Sequence, residues 1–334
     1  MRRRRLLLAA SAGLVASAAN AQQTCFDRFD RCFGSGRGLA VAGLTWTART
    51  LPTTATWISV DGSGSNFVAV ASNVGTIAAY STTGGATWAA STLPATLQWV
   101  GVAGSGTNFV AVALTSGNVA AFSTTGGATW STSTLPATTT WAGVAGSGSN
   151  FVTIASATGT VAAFSTTGGA TWAASTLPVS SSWAGVAGSG SNFVAVSQTS
   201  GTIAAFSTTG GATWTASTLP TVATWDAVAG SGSNFVAVAF GGTSAAYSTN
   251  GGATWTASTL PSSSTWASVA GGGSTFVAVS ATTGKIAAYS TNGGATWTAS
   301  TLPASAVWRG VAGSSGTNFV AVANTSGTIA ATSP

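Results

Sequence analysis

The 334-residue chain contains no glutamate and no histidine, and its acidic side chains are four aspartates. Charged residues make up 4% of it, where an ordinary soluble domain carries about 25%. Each absence removes a class of chemistry. Without histidine there is no imidazole, the usual base near neutral pH and the commonest metal ligand. Asp61 and Asp226 fall in different parts of the chain, too far apart for the paired carboxylates of glycosidic chemistry, and Asp27 and Asp30 between Cys25 and Cys32 offer a metal site only as the alternative to a disulfide loop. No enzyme activity, cofactor or metal is therefore expected. Four of the ten cations are Arg2 to Arg5. The remainder is Arg28, Arg31, Arg37, Arg49, Lys285 and Arg309 against four aspartates, so six minus four leaves +2. Six scattered cations build no stripe along a phosphate backbone, which argues against nucleic acid as a partner.

Long apolar runs are also missing. Mean hydropathy is +0.40, yet nothing after the leader approaches the roughly 20 apolar residues of a membrane helix. Apolar and small polar residues alternate in short segments instead, as in half-buried strands. An outer-membrane barrel alternates in the same way, but its strands run to about ten residues between aromatic girdles. The amino terminus, Met1 to Arg5 followed by the apolar segment Leu6 to Ala19 and Ala19-Asn20-Ala21, reads as a secretory signal over residues 1–21. A secreted or periplasmic protein is expected. Residues 22–42 form a separate segment, in which Cys25 and Cys32 are expected to close a small disulfide loop ahead of a Gly34-to-Gly38 linker.

What is abundant is repetition. Ser81-Thr82-Thr83-Gly84-Gly85-Ala86-Thr87-Trp88 returns with its Trp at 130, 172, 214, 255 and 297, steps of 42, 42, 42, 41 and 42 residues. One unit reads as four strands: Trp183 to Val186, Asn192 to Val196 after a Gly188-to-Ser191 turn, Gly201 to Ser207, and Thr213 to Pro220 after a Gly210-Gly211 hairpin. Four strands in 42 residues is the content of one propeller blade. Proline closes every unit, at Pro52, Pro94, Pro136, Pro178, Pro220, Pro261 and Pro303, and is expected at the end of an exposed edge strand. A second Trp column, Trp57, Trp99, Trp141, Trp183, Trp225, Trp266 and Trp308, counts seven inner strands. Residues 43–334 thus predict an all-β, seven-bladed propeller of four-stranded antiparallel blades. Trp46 belongs to a fourth strand with no first three before it, while three strands follow Trp308 with no fourth. Residues 44–51 should therefore supply the outer strand of the last blade and close the ring.

The eight-residue box resembles the Asp-box, or BNR repeat, of sialidase-like β-propellers, Ser-x-Asp-x-Gly-x-Thr-Trp. The Asp position holds Thr83, Thr125, Thr167 and Thr209, then Asn250 and Asn292, which can still accept hydrogen bonds from the turn backbone. The resemblance implies a propeller and carbohydrate binding. It also implies the catalytic set of sialidases, which this chain lacks. Photosystem II assembly factors are built from a similar repeat and imply a protein-assembly role.

Residues shared by every unit build the scaffold, so specific function is sought in the departures and in the ring as a whole. The seven inner-strand Trp residues, at one level of the ring, are the candidates for stacking on a glycan, with inter-blade packing as the structural alternative. Asp226 and Arg309 break the column Ile58, Val100, Ala142, Ala184 and Ala267, and are candidates for a charge pair across the channel mouth or for separate rim residues. Asp61, at a turn, and Lys285, at the start of a third strand, are expected as exposed charges, with a binding role as the alternative. Tyr80, Tyr247 and Tyr289 alternate with Phe, which assigns them to packing. The box Trp residues are expected between blades. Together these features predict a monomeric, exported, non-enzymatic binding or scaffold module for a glycan or a protein partner. A sialidase-like glycosidase is the alternative from another class. Asn324-Thr325-Ser326 is a glycosylation sequon for a host that modifies exported proteins.

Overall fold

A computed structural model describes residues 41–114, 117–314 and 318–334. The proposed leader and both cysteines lie outside the described residues. Seven four-stranded antiparallel sheets follow one another along the chain and form a seven-bladed β-propeller. Six blades are continuous in sequence, running from the inner strands that begin at Trp57, Trp99, Trp141, Trp183, Trp225 and Trp266. The seventh combines Trp308–Gly313, Phe319–Ala323 and Gly327–Ser333 with the amino-terminal strand Thr47–Ala55. In that pairing Thr47 lies opposite Thr332 and Thr50 opposite Ile329. The ring is closed by residues from the two ends of the repeat array, as the strand count requires. Val41 and Ala42 already belong to the packed body, with Ala42 buried against the blade that starts at Trp266.

The second strand of each blade is buried on both faces. Val194, Val196, Phe193 and Ala195 are fully enclosed, because blades stack face to face and leave no solvated side. Adjacent blades share each cluster: Val194 and Val196 pack with Leu219 of their own blade and with Trp225 and Phe235 of the next. The inner strand reads Trp-x-x-Val-Ala-Gly-Ser and carries small residues because seven strands converge there. Its last Gly has a further reason. A Cβ on Gly188 would lie 2.5 Å from the Phe193 ring, and the same clash recurs at Gly62, Gly104, Gly146 and Gly230.

Three local features differ from the sequence reading. The inner strand extends to the Ser, as in Trp183–Ser189, so Gly188 lies in a strand rather than in a turn. The box is a seven-residue connection between Gly201–Ser207 and Thr215–Ala223, longer than a Gly-Gly hairpin. Pro261 follows the short strand Thr256–Thr259, and the other six of the seven prolines sit inside nine-residue outer strands instead of at their ends. In one of these Ile203 faces Thr218 and Gly201 faces Ala223, so five residues of the outer strand span two of its neighbour. Pro220 occupies that bulge, where no ladder N–H is required, and the bulge turns Leu219 into the core.

Within the box, the Ser81 hydroxyl accepts the Gly85 N–H at 3.0 Å and the Thr83 N–H at 3.2 Å. Thr83 Oγ1 in turn accepts the Thr87 N–H at 2.9 Å, and Asn250 Oδ1 does the same for Thr254 at 3.0 Å. Thr and Asn therefore brace the turn without a charge. Gly126 and Gly127 both have positive φ, 68° and 89°, and a Cβ on Gly127 would meet Val68 of the preceding blade at 2.2 Å. The turn is glycine for its conformation and for its closeness to the neighbour.

Candidate functional site: the central channel and its two mouths

The inner strands line an axial channel containing two cavities, with the column from Val102 to Val269 contributing to both. One cavity, about 260 Å³, opens where the inner strands begin, beside Asp226 and Arg309. The other, about 230 Å³, lies where the strands end, beside Asp61. Their walls are Val, Ala and Gly, so much of the polar lining is main chain: an inner strand pairs on one side and leaves its other edge facing the channel.

Asp226 and Arg309 each follow an inner-strand Trp and face the same cavity from blades separated by the one that begins at Trp266. Both are half-buried. No salt bridge within 4.0 Å joins charged groups among the described residues, so the two charges share a cavity without direct contact. Burial raises the Asp226 carboxyl above the usual carboxylate range, and the Arg309 charge offsets part of that rise. Between them, Ser268 Oγ accepts the Val311 N–H at 3.1 Å.

Asp61 was expected in an exposed turn; it stands within the inner strand Trp57–Ser63 and lines the opposite cavity. Its Oδ2 accepts the Gly104 N–H at 2.8 Å. Ser59 Oγ accepts from Val102 N at 3.2 Å and Ser63 Oγ from Gly106 N at 2.7 Å. Three side chains from one inner strand thus satisfy alternate amides of the next, in place of a hydrogen-bonded strand. Burial raises the Asp61 pKa to about 6, against the lowering effect of the Gly104 and Gly62 amides. The repeat contained a signal for this: the equivalent positions are Ala103, Ala145, Ala187, Ala229, Ala270 and Ala312, which belong to one strand column. Lys285 is exposed, as expected, at the start of the third strand Gly284–Ser290.

The stacking-platform expectation for the inner-strand Trp column is corrected. Trp57, Trp99, Trp141, Trp183, Trp225, Trp266 and Trp308 are 0–1% exposed. Six of the indole N–H groups donate to the Gly that begins the third strand of the preceding blade, at 3.1 Å from Trp183 to Gly159 O and 3.2 Å from Trp308 to Gly284 O. Trp266 instead donates to Ser262 O at 3.2 Å. These rings join blade to blade and offer no face to a sugar. The box Trp residues are half-buried and also bridge blades: Trp130 Nε1 donates to Gly127 O and, in the neighbouring blade, to Ser91 Oγ at 3.0 Å. Tyr80, Tyr247 and Tyr289 pack against the cores.

Blade five, whose unit is 41 residues long, breaks the pattern on the Asp226 side of the ring. Phe240-Gly241-Gly242-Thr243 replaces the usual polar loop between second and third strands, and its two glycines take φ of 89° and 79°. The outer strand shortens to Thr256–Thr259. Phe240 is left 42% exposed, and its N–H donates to Thr224 O at 2.7 Å. Val222, two residues before Thr224, is 73% exposed. Sequence reasoning passed over both, although the one-residue deletion marked the place. Among the described residues no group of three or more Asp, Glu, His or Cys converges, and no helix is long and apolar enough to cross a membrane.

No protein-family model and no curated protein sequence matches the chain. Several solved propellers resemble it in fold. A structure of YCF48 bound to D1 peptide superposes with a TM-score of 0.65 at 18% identity, over 90% of this chain and 99% of that one. YCF48 from Cyanidioschyzon merolae gives 0.63 at 17%, over 86% and 98%. A catalytically inactive histidine-to-alanine variant of virginiamycin B lyase from Staphylococcus aureus, with quinupristin, gives 0.71 at 12%, over 87% and 99%. At these identities the likeness establishes the fold, a seven-bladed β-propeller.

Proposed function

We propose that the protein is an exported, non-enzymatic binding or scaffold module that docks a protein partner on the face where the inner strands begin, at blade five. The observation that carries this is the exposed Phe240, in the blade that departs from the repeat and bears Asp226, with its N–H on Thr224 O two residues from the exposed Val222 of the preceding blade's outer strand. An exposed aromatic ring on a face with few charges suits a protein surface, since aromatic anchors dominate such contacts. Burial of the inner-strand Trp column removes the stacking surface on which the glycan reading rested. YCF48, described with a bound D1 peptide, lends comparable support to a protein-assembly role, which is also a reading by protein partner.

An enzyme is the weaker reading. The charged groups of the channel, Asp61 at one mouth and Asp226 with Arg309 at the other, form no acid–base pair. In the lyase, replacing a histidine is associated with an inactive form, and this chain has no histidine.

A photo-crosslinking amino acid in place of Phe240, and in a second protein in place of Ser149 on the opposite face, tests the reading in the producing organism. One protein joined specifically through position 240 is expected. No adduct at 240, or the same adducts from both positions, would reject this docking face, and selective retention of the chain on a glycan array would favour the carbohydrate reading.

A further inference from the structure

We infer that the cavity between Asp226 and Arg309 is a binding site for a small zwitterion, an α-amino acid with an apolar side chain, whose ammonium meets Asp226 and whose carboxylate meets Arg309. This goes beyond the docking of a protein partner and stands without it. The two side chains occupy equivalent positions after their inner-strand Trp residues and line one cavity of about 260 Å³. They are half-buried, and they are not paired within 4.0 Å.

Two opposite charges taken partly out of water ordinarily pair or stay solvated. Here the blade carrying Ala267 and Ser268 holds them apart, and Asp226 retains the signature of uncompensated burial: its carboxyl is raised despite Arg309. A ligand with both charges on one carbon skeleton completes both groups at once, which neither a simple anion nor a simple cation does. The Ser268 hydroxyl accepts a main-chain N–H, so its own proton is free to donate to a ligand carboxylate. On the far wall Val100, Ala142 and Ala184 are apolar and suit a hydrocarbon side chain. The volume lies just below that of drug-sized pockets, which sets the ligand at the scale of one amino acid.

The test is calorimetric titration of the purified full chain with L-leucine, with leucinamide, which lacks the carboxylate, and with 4-methylpentanoate, which lacks the ammonium. Leucine is expected to bind, with each single-ended analogue weaker by about 10- to 100-fold, the value of one charge-assisted contact. Arg309→Gln should bring leucine down to the level of leucinamide, and Asp226→Asn down to that of 4-methylpentanoate. The comparison of the three ligands on the unaltered protein needs no variant to fold. Absence of leucine binding, equal binding of all three, or leucine affinity unchanged in both variants overturns the inference. Loss of the partner adduct at position 240 with leucine binding intact would reject the docking reading alone.

Discussion

Replacing Asp61 with Asn should stabilise the protein at neutral pH and do nothing at acid pH. Asp61 has a folded pKa of about 6 against an ordinary 3.8, chiefly through burial. Between those values the unfolded chain has released the proton while the folded chain still holds it. The folded state then binds more protons, so stability falls as pH rises through this window and levels off above about 6. A shift of about two units is worth at most about 3 kcal/mol, and the partial exposure of Asp61 to the channel makes that a ceiling. Asn cannot ionise, and its Oδ1 keeps the Gly104 amide that Asp61 accepts at 2.8 Å. At roughly 2 °C per kcal/mol for a domain of this size, Asp61→Asn should raise the melting temperature by up to about 6 °C at pH 7.5. The gain should shrink to nothing near pH 3.5. Asp226, whose carboxyl is also raised, is common to both proteins and cancels in the difference. Paired thermal melts across pH 3.5 to 8 provide the measurement. A gain independent of pH, or a variant less stable at pH 7.5, would show that burial does not govern this carboxyl.

Trp183→Ala removes a fully enclosed ring and should cost about 3–5 kcal/mol in denaturant unfolding, more than Trp172→Ala, whose ring is half-buried. Trp46 donates to Gly43 O at 3.1 Å and to Ser300 Oγ at 3.2 Å, tying the closing strand to the preceding blade; Trp46→Ala should destabilise more than Trp172→Ala, and equal losses would deny closure a special role. Gly188→Ala sets a methyl 2.5 Å from the Phe193 ring and should cost about 1–3 kcal/mol, measurable as a lower midpoint in guanidinium. The Asn324 side-chain amide donates to Trp57 O at 3.1 Å, so mass spectrometry of protein from a glycosylating host should find this sequon unmodified.

Most of the scaffold was legible because a propeller repeats its packing problem in every blade. Each blade needs one Trp to bridge to its neighbour, one Gly to admit the Phe and one turn to reach the adjacent Val, so a period of about 42 residues is written on the chain. The missing fourth strand after Trp308 predicted the closure, since an unpaired edge at the last blade has a single supplier. The channel was less legible. Gly62-Ser63-Gly64 carries turn chemistry in its composition, whereas Gly62 is dictated by the Phe67 ring and the strand continues through it to Ser63. Asp61 was therefore placed outside the channel that it lines. The Trp column was ambiguous for another reason. Stacking on a ligand and stacking between blades select the same residue, and spacing along a chain does not separate a filled interface from an open face.

The distribution of charge around the ring makes the argument for a functional sector. From Gly62 to Trp225 there is no charged residue, so blades two to four hold themselves together and stay hydrated with hydroxyls and main chain alone. Every charge in the described chain, Arg49, Asp61, Asp226, Lys285 and Arg309, falls in blades five, six, seven and one. The deletion that exposes Phe240 and the strand that closes the ring fall there too. Three near-identical neutral blades demonstrate that the fold does not need those charges. Asp226 and Arg309 make no salt bridge within 4.0 Å, and Asp226 sits in the channel at an electrostatic cost. A cost that the scaffold can do without is evidence of another use, and the cavity between these two residues is where that use should be sought.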